Sequence, residues 1–214
     1  MPRTFVFAVA ISAGIGIGLG FGFANRSHSP QAAVAPESSL PDATWAAGKK
    51  PAPDFALRDQ TGAPVSLARF RGRPVIVTFI DPLCRNLCPT EAKILGDVVA
   101  QLPAAQRPAI VSVSVNQWAD ARRFLLQDVA KWKLPSAWHW AIGPATALEQ
   151  VWKAWDIGVY DTSKTVTGVT VHEISHTEAA YVVDARGDTR ALFLYPFRAS
   201  VVAETVRQLA GAQG

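Results

Sequence analysis

The stretch Val75-Ile76-Val77-Thr78-Phe79-Ile80-Asp81-Pro82-Leu83-Cys84-Arg85-Asn86-Leu87-Cys88-Pro89-Thr90 decides the fold. Six apolar and β-branched residues run without a break into a loop holding the chain's only two cysteines, and a proline then opens a helical pattern. Such a run fits a parallel strand buried on both faces. In α/β folds, functional groups gather where the carboxyl end of such a strand meets the next helix.

Three residues separate Cys84 from Cys88, which is neither the C-x-x-C of a dithiol oxidoreductase nor half of a four-cysteine zinc site. On a helix, residues at i and i+4 stand about 5–6 Å apart at Cβ, wider than the roughly 3.8 Å of a disulfide but suited to two sulfurs converging on one ion. Pro82 and Pro89 bracket the segment, and a residue before proline is pushed out of the α region. Cys88 is therefore expected in a loop, ahead of a helix over residues 89–102. The unpaired amides at that helix start, with the cation of Arg85, predict thiolate character for at least Cys88. A structural staple is the plainer alternative, but so short a loop removes little chain entropy.

Working outward, residues 109–115 and 138–142 repeat the buried-strand pattern, and residues 119–134 and 145–155 carry apolar positions at helical spacing. Residues 55–58 and 64–67 form an opening hairpin. Residues 180–184 and 189–195 form a second, across Ala185-Arg186-Gly187-Asp188, and a helix over residues 200–209 closes the chain. The sum is an α/β chain with a mixed sheet, helices on both faces and an N-terminal β-hairpin. His139 is expected to point away from its neighbours Trp138 and Trp140.

The 214 residues, 49% of them hydrophobic and seven of them tryptophan, allow one ordinary domain with an appendage. The net charge of +4 is scattered, with no aromatic-basic stripe, so no nucleic-acid partner is expected. Residues 4–24 contain no charge and would match the roughly 30 Å apolar core of a bilayer as a helix. Residues 1–26 are read as a transmembrane anchor; the alternative is a signal peptide cleaved near Ala33-Val34-Ala35. Glycines at alternate positions from Gly14 to Gly22 also supply G-x-x-x-G spacings. Either reading places the bulk of the chain on the extracytoplasmic, periplasmic-type side, outside the reducing cytosol. Residues 27–50, rich in Ser, Ala and Pro, read as a flexible tether, and residues 51–211 as the folded domain.

His172-Glu173-Ile174-Ser175-His176 matches the zinc protease signature H-E-x-x-H, which functions only on a helix. Its setting, after the β-branched run of residues 165–171 and just before a strand, is that of a loop. A more economical use joins one of these histidines to the cysteines. Two thiolates and an imidazole make a soft, low-coordinate site suited to Cu(I), and to Cu(II) with another ligand. His176, just ahead of the strand at Tyr181, can reach the cysteine loop.

These residues resemble the Sco/SenC copper chaperones over about residues 51–209. The markers are Pro53-Asp54-Phe55-Ala56-Leu57-Arg58-Asp59 with Gly62, Phe70-Arg71-Gly72-Arg73-Pro74, Cys84-Arg85-Asn86-Leu87-Cys88-Pro89-Thr90-Glu91, and His176 ahead of Tyr181-Val182-Val183-Asp184. The resemblance implies a thioredoxin-like fold anchored by one transmembrane helix. It also implies copper held by Cys84, Cys88 and His176, and delivery of copper to, or reduction of cysteines of, the copper centre of cytochrome c oxidase. Implied partners are a cytochrome c oxidase subunit or other copper acceptor, and a thiol-disulfide partner. The chain departs from the usual pattern at Arg85, Ser175 and Asn116-Gln117, and His172 could substitute or assist.

The rival reading is a metal-free thiol-disulfide oxidoreductase in which Cys84 and Cys88 form the redox-active pair. Residues 159–195 contain no proline, whereas thioredoxin-like enzymes set a cis-proline beside the dithiol before a late strand. A peroxidase fits less well, since Asp81 and Arg85 stand where a Thr or Ser would precede a peroxidatic cysteine. A metallochaperone is thus expected rather than an enzyme.

Overall fold

The computed structural model describes residues 38–119 and 121–211. At its centre lies β4 (Val75–Ile80), all six residues of which are buried. Parallel to it run β5 (Ala109–Ser114) and β6 (Trp138–Ala141), in register Val77↔Val111↔His139. On the other side, β11 (Ala179–Val183) is antiparallel to β4, and β12 (Thr189–Leu194) is antiparallel to β11. The edge is β1 (Ala43–Thr44), giving the order β1-β12-β11-β4-β5-β6. This is the expected mixed α/β sheet.

Alternation along the strands builds two cores. Val75, Val77 and Phe79 enter one with Leu148, Val151 and Trp152 of α3 (Ala145–Ala154). Ile76 and Ile80 enter the other with Ala92, Leu95 and Val98 of α1 (Leu87–Ala100), Leu125 of α2 (Arg122–Lys131) and Val202 and Val206 of α4 (Ala199–Gly211). Full burial of each such aliphatic side chain contributes about 1.5–3 kcal/mol, so β4, loaded on both faces, is firmly held between the two cores.

The opening hairpin is β2 (Leu57–Arg58) with β3 (Pro64–Val65). His139 bonds Asp59 across it, Nδ1 to Oδ2 at 3.2 Å.

Two expectations change. Part of the stretch read as a tether packs on the domain: β1 pairs with β12, and Trp45 N–H donates to the Arg190 carbonyl at 3.0 Å. An edge strand offers unpaired backbone groups, so pairing there needs no apolar periodicity in the sequence. The segment of residues 159–176, which holds the H-E-x-x-H run expected in a loop, keeps only His172 and Glu173 of that run between strands. It folds as β7 (Val159–Asp161), β8 (Lys164–Val166), β9 (Val169–Val171) and β10 (Ile174–His176), with β8 paired to β9 and β10 to β7. The proposed anchor, the cleavage site and the tether before residue 38 lie outside the described residues, among which no helix is long and apolar enough to cross a membrane.

Candidate metal site

Asp81 fixes the loop that leaves β4. Its Oδ1 accepts the Leu83 amide at 2.8 Å and Asn116 Nδ2 at 3.0 Å, while its carbonyl accepts the Cys84 amide at 3.1 Å. Asn116, one of the departures from the resembled pattern, is thus a buried strut of this turn. Asn86 then caps α1, its side chain accepting the Leu87 amide at 2.7 Å. Asparagine is among the best N-cap residues, and it starts the helix two residues earlier than the proline alone predicts. Pro89 is tolerated because first-turn amides have no intrahelical partner. Cys88 therefore lies inside the first turn of α1, not in the preceding loop.

That shift reverses the roles of the two sulfurs. Cys84 Sγ sits over the helix start, where it accepts the Cys88 amide at 3.3 Å and, in its thiol form, donates to Asn86 Oδ1 at 3.0 Å. Hydrogen bonding from the Cys88 thiol, with the amides of Cys88, Asn86 and Leu87, lowers the Cys84 thiol to about 5 against the opposing effect of burial. Cys88 is fully buried; its donation to Cys84, its burial and the neighbouring thiolate all hold it protonated. Cys84, rather than Cys88, is the thiolate. The Arg85 guanidinium is taken up by the Pro82 and Cys84 carbonyls, at 2.7 and 3.1 Å, and by Asp128 at 3.6 Å.

His176 reaches the site from β10, held through the pairing His176↔Val159. Its Nδ1 lies 3.1 Å from the Thr177 carbonyl. Nδ1 therefore carries the proton and Nε2 the free lone pair, the state of a metal ligand. Burial lowers the His176 pKa and favours this neutral form. Cys84, Asn86, Leu87, His176, Glu178 and Tyr195 line one cleft. Behind it, one ligand atom each of the fully buried Cys88, of His176 and of Glu178 lie within 4.8 Å of one another, the only such group among the described residues; Cys84 lines the cleft but is not a member of that group.

A family model described as SCO1/SenC matches residues 45–211. The chain belongs to the SCO1/SenC family.

The fold of this SCO1/SenC protein is similar to that of yeast Sco1 with copper bound, with a TM-score of 0.66 and 14% identity, over 76% of this chain and 90% of that one. It is also similar to BsSco, a member of the Sco family of cytochrome c oxidase assembly proteins with a disulfide switch. There the TM-score is 0.60 and the identity 20%, over 76% and 94% of the two chains. Among curated proteins, chloroplastic peroxiredoxin Q of Oryza sativa subsp. japonica is 34% identical over 84 residues, 39% of this chain and 36% of that protein. The chain thus matches about a third of that relative's length. The shared arrangement is the thioredoxin-like one.

Two carboxylates at the site were not anticipated. Glu178, half-buried just before β11, is pushed up to about 6 by burial and by the Cys84 thiolate. Its signal in the sequence is a lone acid directly ahead of the apolar run Ala179-Ala180-Tyr181-Val182-Val183. Glu91, one turn past Cys88 and fully buried, is raised to about 8, chiefly by burial and also by Glu178 and Cys84. Thr78 Oγ1 lies against Glu91 Oε1 and 3.1 Å from the Ala179 carbonyl. A hydroxyl has one proton, so a protonated Glu91 donating to Thr78 leaves the Thr78 hydrogen for Ala179. Glu91 Oε2 has no hydrogen-bond partner among the described residues.

His172 stands apart from this group. Its Nδ1 is 2.9 Å from Asp161 Oδ2, and its ring stacks on Trp118 at 3.7 Å between centroids. With His176 on a strand and His172 between two strands, the H-E-x-x-H run presents no helical face for zinc.

Proposed function

We propose that this protein carries copper on Cys84, Cys88 and His176 and hands it to an acceptor in cytochrome c oxidase assembly. The observation that carries the reading is the approach of a neutral imidazole from β10 to the cysteine pair: His176 shares a cleft with Cys84, and a ring nitrogen of it lies within 4.8 Å of Cys88 Sγ. Two thiolates and one imidazole suit Cu(I), with Cu(II) a further cargo. Copper bound in yeast Sco1 and the assembly role of BsSco's family support the assignment. Residues 1–26 anchor the chain in a membrane, with the folded domain on the extracytoplasmic side.

Cys84 meets the incoming ion already ionised, whereas Cys88 keeps its proton until the ion displaces it. Loading near neutral pH therefore releases one proton, from Cys88. Transfer follows by ligand exchange, an acceptor thiolate or imidazole replacing one ligand at a time, and the emptied dithiol can then oxidise to a disulfide.

Anaerobic Cu(I) titration of the reduced full chain in detergent, against a competing chelator, tests this. One tight equivalent is expected, abolished by Cys84→Ser or Cys88→Ser and weakened by His176→Ala. Stoichiometric tight binding by the triple variant overturns the site. The low pKa of Cys84 and the peroxiredoxin Q match favour a second reading, a metal-free thiol-disulfide oxidoreductase. Absence of tight copper together with a readily cycling disulfide would select it.

A further inference from the structure

Glu178 has no role in a site made of two thiolates and an imidazole, yet a carboxylate oxygen of it lies within 4.8 Å of both Cys88 Sγ and a ring nitrogen of His176. Its backbone explains the placement. The Glu178 carbonyl accepts the Tyr195 amide at 3.0 Å, which ties the residue to the end of β12, and Thr177 is locked to Gly158 through its amide and its hydroxyl, at 2.9 and 3.2 Å. The carboxylate itself takes part in no hydrogen bond or ion pair among the described residues, and it faces the same cleft as the Cys84 sulfur. A half-buried acid beside a thiolate, with no cation at hand, is electrostatically unfavourable. A positive ion between the carboxylate, the sulfurs and the imidazole reverses the sign of that interaction.

The donor set decides which ion. Thiolate and imidazole alone favour the soft monovalent ion, and a hard carboxylate oxygen adds little to it. The S2NO set formed by including that oxygen suits a borderline divalent ion. We propose that Glu178 is a fourth ligand, engaged by divalent copper and left free by monovalent copper, so that one cleft accepts the cargo in both oxidation states. This inference rests on the proposed copper site and adds to it the residue that sets its preference for charge.

Co(II) is the probe, because it is divalent, does not oxidise thiols, and reports its coordination through its visible bands. In the reduced full chain, Glu178→Gln should weaken Co(II) by about tenfold or more, the scale on which even outer-shell changes act, and should alter the d–d bands. Cu(I) affinity should stay within about threefold of wild type, and that retention also shows that the variant is folded. Glu178→Asp, which keeps the charge but shortens the reach, should likewise lose Co(II) and keep Cu(I); it serves if the glutamine variant fails to fold. Unchanged Co(II) affinity and spectra in either folded variant, or a wild type that binds Cu(I) through its cysteines but no Co(II), overturns the role of Glu178 and leaves the copper site standing. Loss of Cu(I) binding from the wild type itself would instead strike the copper reading.

Discussion

Glu91 makes the fold's stability depend on pH in a direction that can be computed. Its carboxyl is wholly buried in α1, and its pKa rises from 4.5 to about 8 on folding. Between those values the folded state holds a proton that the unfolded chain has lost, so this residue lowers stability as pH rises from about 4.5, and the loss levels off above about 8. At 1.36 kcal/mol per unit, the contribution reaches about 3 kcal/mol by pH 7 and roughly 5 kcal/mol when complete. Cys84 acts in the opposite sense: its pKa is lowered from 9.0 to about 5, so it adds stability as pH rises across that window. The wild-type curve mixes the two, and the informative quantity is the difference between wild type and Glu91→Gln. The amide does not titrate and keeps the shape. Chemical denaturation of the reduced proteins from pH 5 to 8.5 should show the advantage of the glutamine variant growing by about 1 kcal/mol per pH unit up to about pH 8. In a Cys84→Ser background the growth should shrink but persist, because burial, not the thiolate, is the largest cause of the shift. A difference that stays flat with pH would refute the reasoning, since it would mean that Glu91 titrates alike in both states.

Two further outcomes follow from the same geometry. Iodoacetamide should alkylate Cys84 with an apparent pKa near 5 and leave buried Cys88 unlabelled, as read by peptide mass spectrometry; equal labelling of both, or a midpoint near 9, would contradict the assignment of the thiolate. His172→Ala should leave Cu(I) affinity within about twofold of wild type, because His172 is committed to Asp161 and Trp118; a large loss in the competition titration would place it among the ligands.

What the sequence made legible was whatever burial dictates. The runs at Val75–Ile80 and Ala109–Ser114 are buried at every position and could be read as central strands from composition alone. The ribbon of residues 159–176 escaped because β8 and β9 are exposed throughout, so no apolar alternation marks them. β1 escaped because two residues pairing through their backbone leave no pattern. At the site, both cysteines and His176 were legible as residue types, but which sulfur ionises was not. That depends on where α1 starts, and Asn86 moved the start by two residues. The two acids were visible as letters only: Glu91 on an apolar helix face beside Cys88, Ala92 and Leu95, and Glu178 heading a buried strand.

The division of the site between elements also bears on how cargo would leave it. Cys84 rides on the turn that leaves a fully buried strand and Cys88 on the first turn of α1, whose apolar face is locked into the core. His176 rides on β10, a three-residue strand that pairs with three-residue β7 outside the main sheet. A two-stranded ribbon of that size is marginal by itself, and segments with few buried contacts open at the lowest free energy. In the proposed transfer, the imidazole is then the ligand that yields first, at the expense of the ribbon and not of the core. The dithiol stays in place, both sulfurs ionised once Cys88 has given up its proton to loading, and holds the ion while the acceptor's first ligand enters.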